Sequence, residues 1–431
     1  MIYPPFLPIS PLSKPFTASV LLPGSKSITN RALALAALAE GTTTLQGALF
    51  ADDTQRMEDC LTALGFQLEI DAARETIEVL GQGGEVPSKS AELFVGNSGT
   101  TARFISPLAA LGQGEYHLDG VARMRERPIQ DLVQALTMLG VEVVCPTGCP
   151  PLTIHARGLH GGCTTIRADA SSQFLSGLLL AAPCASGETI VHLEGPILSA
   201  PYIEMTVAMV RQFGGEIEVD ETGRTYRIPG GQTLQSPGQY SIEPDASAAS
   251  YFFAAAAVTG GCVRVPHLSL AALQGDVAFV KVLEQMGCDV LEGDGFLELR
   301  GPQQLRGVVV DMNAISDTVM TLAAIAPFAD SPTVIENVAH IRHKETDRLA
   351  AVTTELQRLG VRVEERPDGL TVYPATDLLP ATIQTYDDHR MAMAFAITGL
   401  RSPGVVIENP GCVAKTFPAF FTRLEELCAA G

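Results

Sequence analysis

Lysine is scarce in this chain of 431 residues, occurring only at positions 14, 26, 89, 281, 344 and 415. Three of the six stand in segments crowded with other polar side chains: GSKSITNR around Lys26, HKETDR around Lys344 and VAKTF around Lys415. Arg31 follows Ser27 by one helical turn, so the two can share a helix face. Arg103, Arg348, Arg390 and the RMRERP loop (Arg123, Arg125, Arg127) add guanidinium groups to similar segments. A guanidinium fork matches phosphate and carboxylate bidentately, whereas an ammonium acts as a compact charge. Taken singly, each of these residues reads as surface solvation. Their concentration in a chain of net charge −19 points instead to a strongly anionic ligand. Two carboxylates lie among the cations: Asp317, at the start of an apolar run, and Glu345, between Lys344 and Arg348. Carboxylates so placed can move protons if their surroundings tune them. Spacing alone leaves open a plain helix cap for Asp317 and a surface ion pair for Glu345.

Several other chemistries fail on spacing. GSKS lacks the glycines of a phosphate-binding P-loop, because Val20 and Ser25 occupy their places. GQGG at Gly81 forms no dinucleotide fingerprint. There is no HExxH, no CxxC and no GxSxG; His343 and His389 read as hydrogen-bonding members of polar segments rather than metal ligands. These spacings lend no support to a metal site. Nine cysteines with no CxxC pair suit a reduced, cytoplasmic protein. The acidic balance argues against nucleic-acid and anionic-membrane surfaces. No apolar run approaches a membrane span, and MIYPPFLPIS has no basic region before an apolar core, so no secretory signal is read. With 46% hydrophobic residues, the composition is that of a globular protein with a large core.

The elements that must position these groups repeat. An amphipathic helix ending in an apolar residue and glycine, then a β-rich run, recurs in CLTALGFQLEI, ALTMLGVEVVC, MVRQFGGEIEV, VLEQMGCDVLE and ELQRLGVRVEE, with glycines at 65, 140, 214, 287 and 360. A sixth helix, RLEELCAAG, reaches the C-terminus. The spacing implies six units of about 72 residues. A second helix per unit is Ala-rich and apolar on nearly every face, so it must be buried. Its starts are marked by Ser25, Ser98, Ser171, Asp245, Asp317 and Asp388, all good N-caps. Three such helices can centre one domain, and six units then make two domains. Helix N-termini suit anions, but each dipole contributes only about 0.3–1 kcal/mol. Even six give less than the roughly 8 kcal/mol of micromolar binding, so fixed cations must do most of the work.

LPGSKSITNRAL, GNSGTTARF, ERPI, SSQF, NAISDTVMTLA, HKETDRL, YDDHRMAM and AKTFPAFF together resemble the 5-enolpyruvylshikimate-3-phosphate synthase family, from about residue 17 to 420. The resemblance implies the enolpyruvyl transferase fold, an inside-out α/β barrel of two domains. Each domain has three βαβαββ units around buried parallel helices. Residues 1–22 and 241–431 would form the phosphoenolpyruvate-side domain and residues 23–240 the shikimate 3-phosphate side, with the active site in the cleft between them. It also implies transfer of the enolpyruvyl group of phosphoenolpyruvate to the 5-hydroxyl of shikimate 3-phosphate through a tetrahedral intermediate, on the way to chorismate and aromatic amino acids. Domain closure would exclude water.

Matched residue by residue, Lys26, Ser27, Arg31, Ser171, Ser172, Ser199, Tyr202, Asp317, His340 and Lys344 would hold shikimate 3-phosphate. Lys26, Gly99, Arg127, Gln173, Arg348, Arg390 and Lys415 would hold phosphoenolpyruvate. Lys26, Asp317, Glu345 and His389 would form the catalytic group. The family resemblance implies no metal and no organic cofactor, and a monomer acting on these two small substrates is expected. Two residues depart from the usual pattern: His340 stands where relatives carry Asn, and Phe104 where they often carry Pro, which could shift the helix bearing Gly99 and Thr100. Glyphosate occupies the phosphoenolpyruvate site in this family. The related UDP-N-acetylglucosamine enolpyruvyl transferases usually carry a loop cysteine, absent from GVARMRERPI. A non-catalytic anion-binding scaffold is disfavoured by retention of both Asp317 and Glu345.

Overall fold

The computed structural model describes residues 3–169 and 171–429; the outermost residues of the expected domain ranges, and residue 170, lie outside it. The chain divides into two compact units, Gly24–Ile242 and Met1–Pro23 with Glu243–Gly431.

In the first unit the helices alternate in character. α1 (Lys26–Leu38), α3 (Gly99–Ala110) and α5 (Ser172–Ala181) are buried almost throughout. α2 (Asp52–Ala63), α4 (Gln130–Met138) and α6 (Ala200–Gln212) bury one face. Leu33, Leu35 and Leu38 of α1 are fully buried, which stabilises the unit by about 1.5–3 kcal/mol each. Three four-stranded sheets surround the interior helices. In the sheet of Ser90–Phe94, Gln113–Asp119, Leu152–Arg157 and Glu142–Val144, the first pair is parallel and the others antiparallel. That pattern follows from a crossover through α3 and then a hairpin after α4.

The second unit repeats the scheme with interior α7 (Ala246–Thr259), α9 (Val319–Ile325) and α11 (His389–Gly399), and outer α8 (Phe279–Gln285), α10 (Arg348–Arg358) and α12 (Phe420–Ala429). Among the described residues its third sheet has three strands, and Phe6–Pro8 supplies the antiparallel neighbour of Val405–Glu408. Two other strands sit in the sheet of the opposite half of the sequence. Thr17–Ser19 pairs in parallel with Cys262–Pro266, and Gln239–Ser241 with Glu40–Gln46.

The repeat glycines terminate the outer helices in one way. Gly65, Gly140, Gly214, Gly287 and Gly360 all have positive φ, between 77° and 101°. The residue after each donates its amide to the carbonyl five residues back: Phe66 to Leu61, Val141 to Leu136, Gly215 to Val210, Cys288 to Leu283 and Val361 to Leu356, at 2.9–3.0 Å. This left-handed cap turns the chain directly into the next strand.

Five of the six N-cap markers hold. Ser25, Ser98, Ser171, Asp245 and Asp388 each accept an amide of the first helical turn through the side chain. The sixth, Asp317, does not: it lies in the 3-10 segment Asn313–Thr318, ahead of the shortened α9.

Candidate active site

In the unit of α1–α6, the interior helix starts carry the predicted residues. Lys26 opens α1 and its ammonium lies 3.4 Å from Asp53, in the first turn of α2. The Asp53 carbonyl in turn accepts from the hydroxyls of Ser98 (3.5 Å) and Thr101 (3.3 Å), which ties α2 to the start of α3. Arg127 is buried, its Nη1 donating to the Asn97 carbonyl at 3.0 Å. A Cβ placed on Gly99 would run into the Arg127 guanidinium, so the lack of a side chain there is what lets α3 approach Arg127. Gln173, in the first turn of α5, donates to Thr100 Oγ1 at 3.1 Å. Ser171 caps α5, and Ser172 is buried beside it.

Arg31 is buried within the same unit and reaches α5 and α6. Its Nε donates to Thr206 Oγ1 at 2.7 Å, Nη1 to the Ser27 carbonyl at 2.9 Å, and Nη2 to Ser176 Oγ (3.3 Å) and the Tyr202 carbonyl (3.1 Å). Ser199, just before α6, takes left-handed backbone angles. Phe104 leaves α3 helical from Gly99 onward; the helix accommodates its proline at position 107 instead. The basic loop splits. Arg123 and Arg125 form exposed ion pairs with Glu126 and Asp119. Arg103 is spent on the Gly99 and Pro128 carbonyls.

In the other unit, Arg348 is 1% exposed in its side chain and meets three carboxylates. Its Nε is 2.8 Å from Asp388, Nη1 3.1 Å from Asp317 and Nη2 2.8 Å from Glu345. Arg390 reaches the second Asp317 oxygen at 2.6 Å and the Tyr251 hydroxyl at 3.4 Å. Lys415 lies 3.8 Å from the other Glu345 oxygen. Asp317 is therefore a bridge between two guanidinium groups rather than a cap, and Glu345 is buried between Arg348 and Lys415 rather than on the surface. Burial opposes the Arg348 charge, but Asp388, Glu345 and Asp317 outweigh it and hold its pKa above the ordinary value. Burial raises the Tyr251 hydroxyl to about 12.

His389 opens α11 fully buried, its Nδ1 3.4 Å from Asp388. His340 is also buried, and burial first, then the neighbouring Lys344, lowers it to about 3, so it is neutral at ordinary pH. Lys344 follows the 3-10 turn that carries His340. Among the described residues no group of His, Cys, Asp and Glu is arranged to hold a metal ion, and no helix is long and apolar enough to cross a membrane.

Asp53, Asn97 and Tyr251 were not singled out from the sequence. ADDTQRM reads as ordinary first-turn acids, and the other two become visible only through tertiary contacts.

The model of the EPSP synthase (3-phosphoshikimate 1-carboxyvinyltransferase) family matches residues 12–424. A 3-phosphoshikimate 1-carboxyvinyltransferase of Nostoc punctiforme is 53% identical over 97% of this chain and 98% of its own length. One from Shewanella oneidensis is 46% identical over 94% of this chain and 96% of its own. Among solved structures, an EPSP synthase from Acinetobacter baumannii aligns with TM-score 0.82 at 26% identity, over 98% of both chains. The enolpyruvyl transferase NikO of Streptomyces tendae shares the fold at TM-score 0.76 and 20% identity, over 98% of this chain and 97% of that one. With guanidinium, ammonium and carboxylate groups clustered near helix starts within each unit, and with near full-length matches in sequence and fold, this chain belongs to the EPSP synthase family.

Proposed function

We infer that this protein transfers the enolpyruvyl group of phosphoenolpyruvate to the 5-hydroxyl of shikimate 3-phosphate and releases phosphate. The observation that carries the assignment of roles is the buried Arg348, held against Asp317, Glu345 and Asp388 at once. In the first step the methylene carbon of phosphoenolpyruvate takes a proton, and its neighbouring carbon becomes electrophilic. The 5-hydroxyl oxygen adds there and gives up its proton. The tetrahedral adduct then loses a methyl proton, the double bond re-forms and phosphate leaves.

Asp317, fixed in place by contacts to Arg348 and Arg390, is the acceptor of the hydroxyl proton in this reading. Glu345, with Lys26, serves the methylene carbon in both directions. Phosphate and carboxylate of the substrate are held at Arg348, Arg390 and Lys415, two of which also contact Glu345. Arg127, Gly99 and Gln173 complete the phosphoenolpyruvate contacts. Ser27, Arg31, Ser171, Ser172, Ser199, Tyr202, His340 and Lys344 hold shikimate 3-phosphate. His389 acts through Asp388. The same reading makes the enzyme a monomer of a reducing compartment, which nine free thiols suit; sedimentation of the purified protein checks the first point.

The decisive assay measures phosphate release with both substrates and with each alone. Release only with the pair is expected, and UDP-N-acetylglucosamine should not replace shikimate 3-phosphate. Tight binding of both substrates without turnover would sink the assignment, as would near-normal turnover in both Lys26→Ala and Glu345→Gln.

A further inference from the structure

Arg31 is 2% exposed and lies within a unit whose described residues offer it no carboxylate partner. Its hydrogen-bond acceptors are two hydroxyls and two backbone carbonyls, all neutral. A guanidinium has five N–H groups. Four are engaged by these acceptors, and the fifth, on Nη1, has no acceptor among the described residues. Desolvation lowers the Arg31 pKa to about 10, which leaves it charged at neutral pH. A buried cation normally has a counter-ion. Here its place is taken by an aromatic face: the guanidinium carbon lies 4.9 Å from the centroid of the Phe104 ring, itself 1% exposed. The negative face of a ring stabilises a cation, most strongly when both are shielded from water.

The neighbouring pair shows the contrast. Arg103 of α3 rests 5.8 Å from the Phe174 ring of α5, but its Nη groups are turned onto the Gly99 and Pro128 carbonyls, so it braces the helices. Arg31 combines an aromatic support with an N–H still available to a ligand. The position of the ring is fixed by α3. Pro107 has no amide to give the Arg103 carbonyl, and Gly177 of α5 approaches that carbonyl so closely that a Cβ would collide with it. The turn bearing Phe104 is thereby clamped against α5.

We propose that Phe104 is a positioning residue for the acceptor substrate: its ring supports the Arg31 guanidinium in place of a carboxylate, leaving the Arg31 charge to pair with an anionic group of shikimate 3-phosphate. A carboxylate at this place would stabilise the cation but compete with the substrate for it. The proposal rests on the reading that Arg31 binds that substrate, and the test separates the two.

Residue 104 is replaced in the full-length protein by phenylalanines carrying one, two, three and five ring fluorines, which progressively weaken the negative face at nearly constant volume. Calorimetric Kd for shikimate 3-phosphate is measured without phosphoenolpyruvate, alongside KM for phosphoenolpyruvate and the melting temperature. A stepwise rise in the shikimate 3-phosphate Kd is expected, to about tenfold for the pentafluoro ring, with KM for phosphoenolpyruvate within about twofold of the parent. In an Arg31→Gln background the series should be flat. A Kd that ignores fluorination, or a rise shared equally by phosphoenolpyruvate, overturns the role of Phe104. An Arg31→Gln protein that binds shikimate 3-phosphate normally overturns the underlying reading of Arg31 instead.

Discussion

Arg348 touches three carboxylates, and the consequence of removing each depends on what else that carboxylate does. Asp388 is fully buried, caps α11 through the Arg390 amide at 2.9 Å and pairs with Arg348. Asp388→Ala should therefore cost stability, about 3–5 kcal/mol in denaturant titration, because it strands a buried charge and uncaps a helix. Glu345→Gln keeps an oxygen for Arg348 but cannot carry the proton. It should lower kcat by about 10²–10⁴ while leaving the melting temperature near that of the parent.

Glu58 makes a different test, away from these groups. It is buried on α2, its Oε1 has no hydrogen-bond partner among the described residues, and desolvation, with a smaller contribution from Asp59, raises it from 4.5 to about 7. A raised carboxyl stabilises the fold below its unfolded pKa and loses that contribution as pH rises through the folded one. The difference corresponds to about 3 kcal/mol. Glu58→Gln should therefore stabilise the protein by about that amount at pH 8 and hardly at all at pH 4, as measured by urea unfolding at the two pH values. His340 slopes the other way. Its folded pKa lies below that of the free side chain, so its contribution is complete above about pH 6.5 and is lost as pH falls toward 3.

At the scale of elements, α3 is where backbone geometry and ligand binding meet. Gly99→Ala drives a methyl group into the Arg127 guanidinium. Steady-state kinetics should show KM for phosphoenolpyruvate rising at least about tenfold, with KM for shikimate 3-phosphate changing much less. Much of this level was legible in the sequence. The apolar runs, their polar starts and the five glycines each encode a local event, namely burial, capping or a left-handed turn, and local events need no knowledge of neighbours. Asp317 shows the limit. By spacing it is a sixth cap, yet α9 starts two residues later and the carboxylate is drawn to Arg348 and Arg390. Two charge-assisted contacts outweigh one capping bond. The support of Arg31 by Phe104 was invisible for the same reason, since the two residues are brought together only by the packing of α1 on α3.

At the scale of the molecule, the repeat count was readable from periodicity, whereas the grouping of the first residues with the C-terminal half came only from the family resemblance. Periodicity assigns each strand to the unit in which it is written, whereas Thr17–Ser19 and Gln239–Ser241 pair elsewhere. Residues 24–242 contain every strand of their three sheets. Expressed alone, this segment should unfold cooperatively in urea. Residues 243–431 lack Phe6–Pro8 and Thr17–Ser19, which leaves the edges of Val405–Glu408 and Cys262–Pro266 unpaired. That fragment should aggregate on its own and be rescued by a peptide of residues 1–23, with light scattering as the measure.

The same exchange sets an order on biosynthesis. The strands Phe6–Pro8 and Thr17–Ser19 are translated long before their partners at Val405–Glu408 and Cys262–Pro266. One half of the nascent polypeptide can finish folding while the leading segment still trails unmatched, which makes that segment the natural substrate for a chaperone during translation.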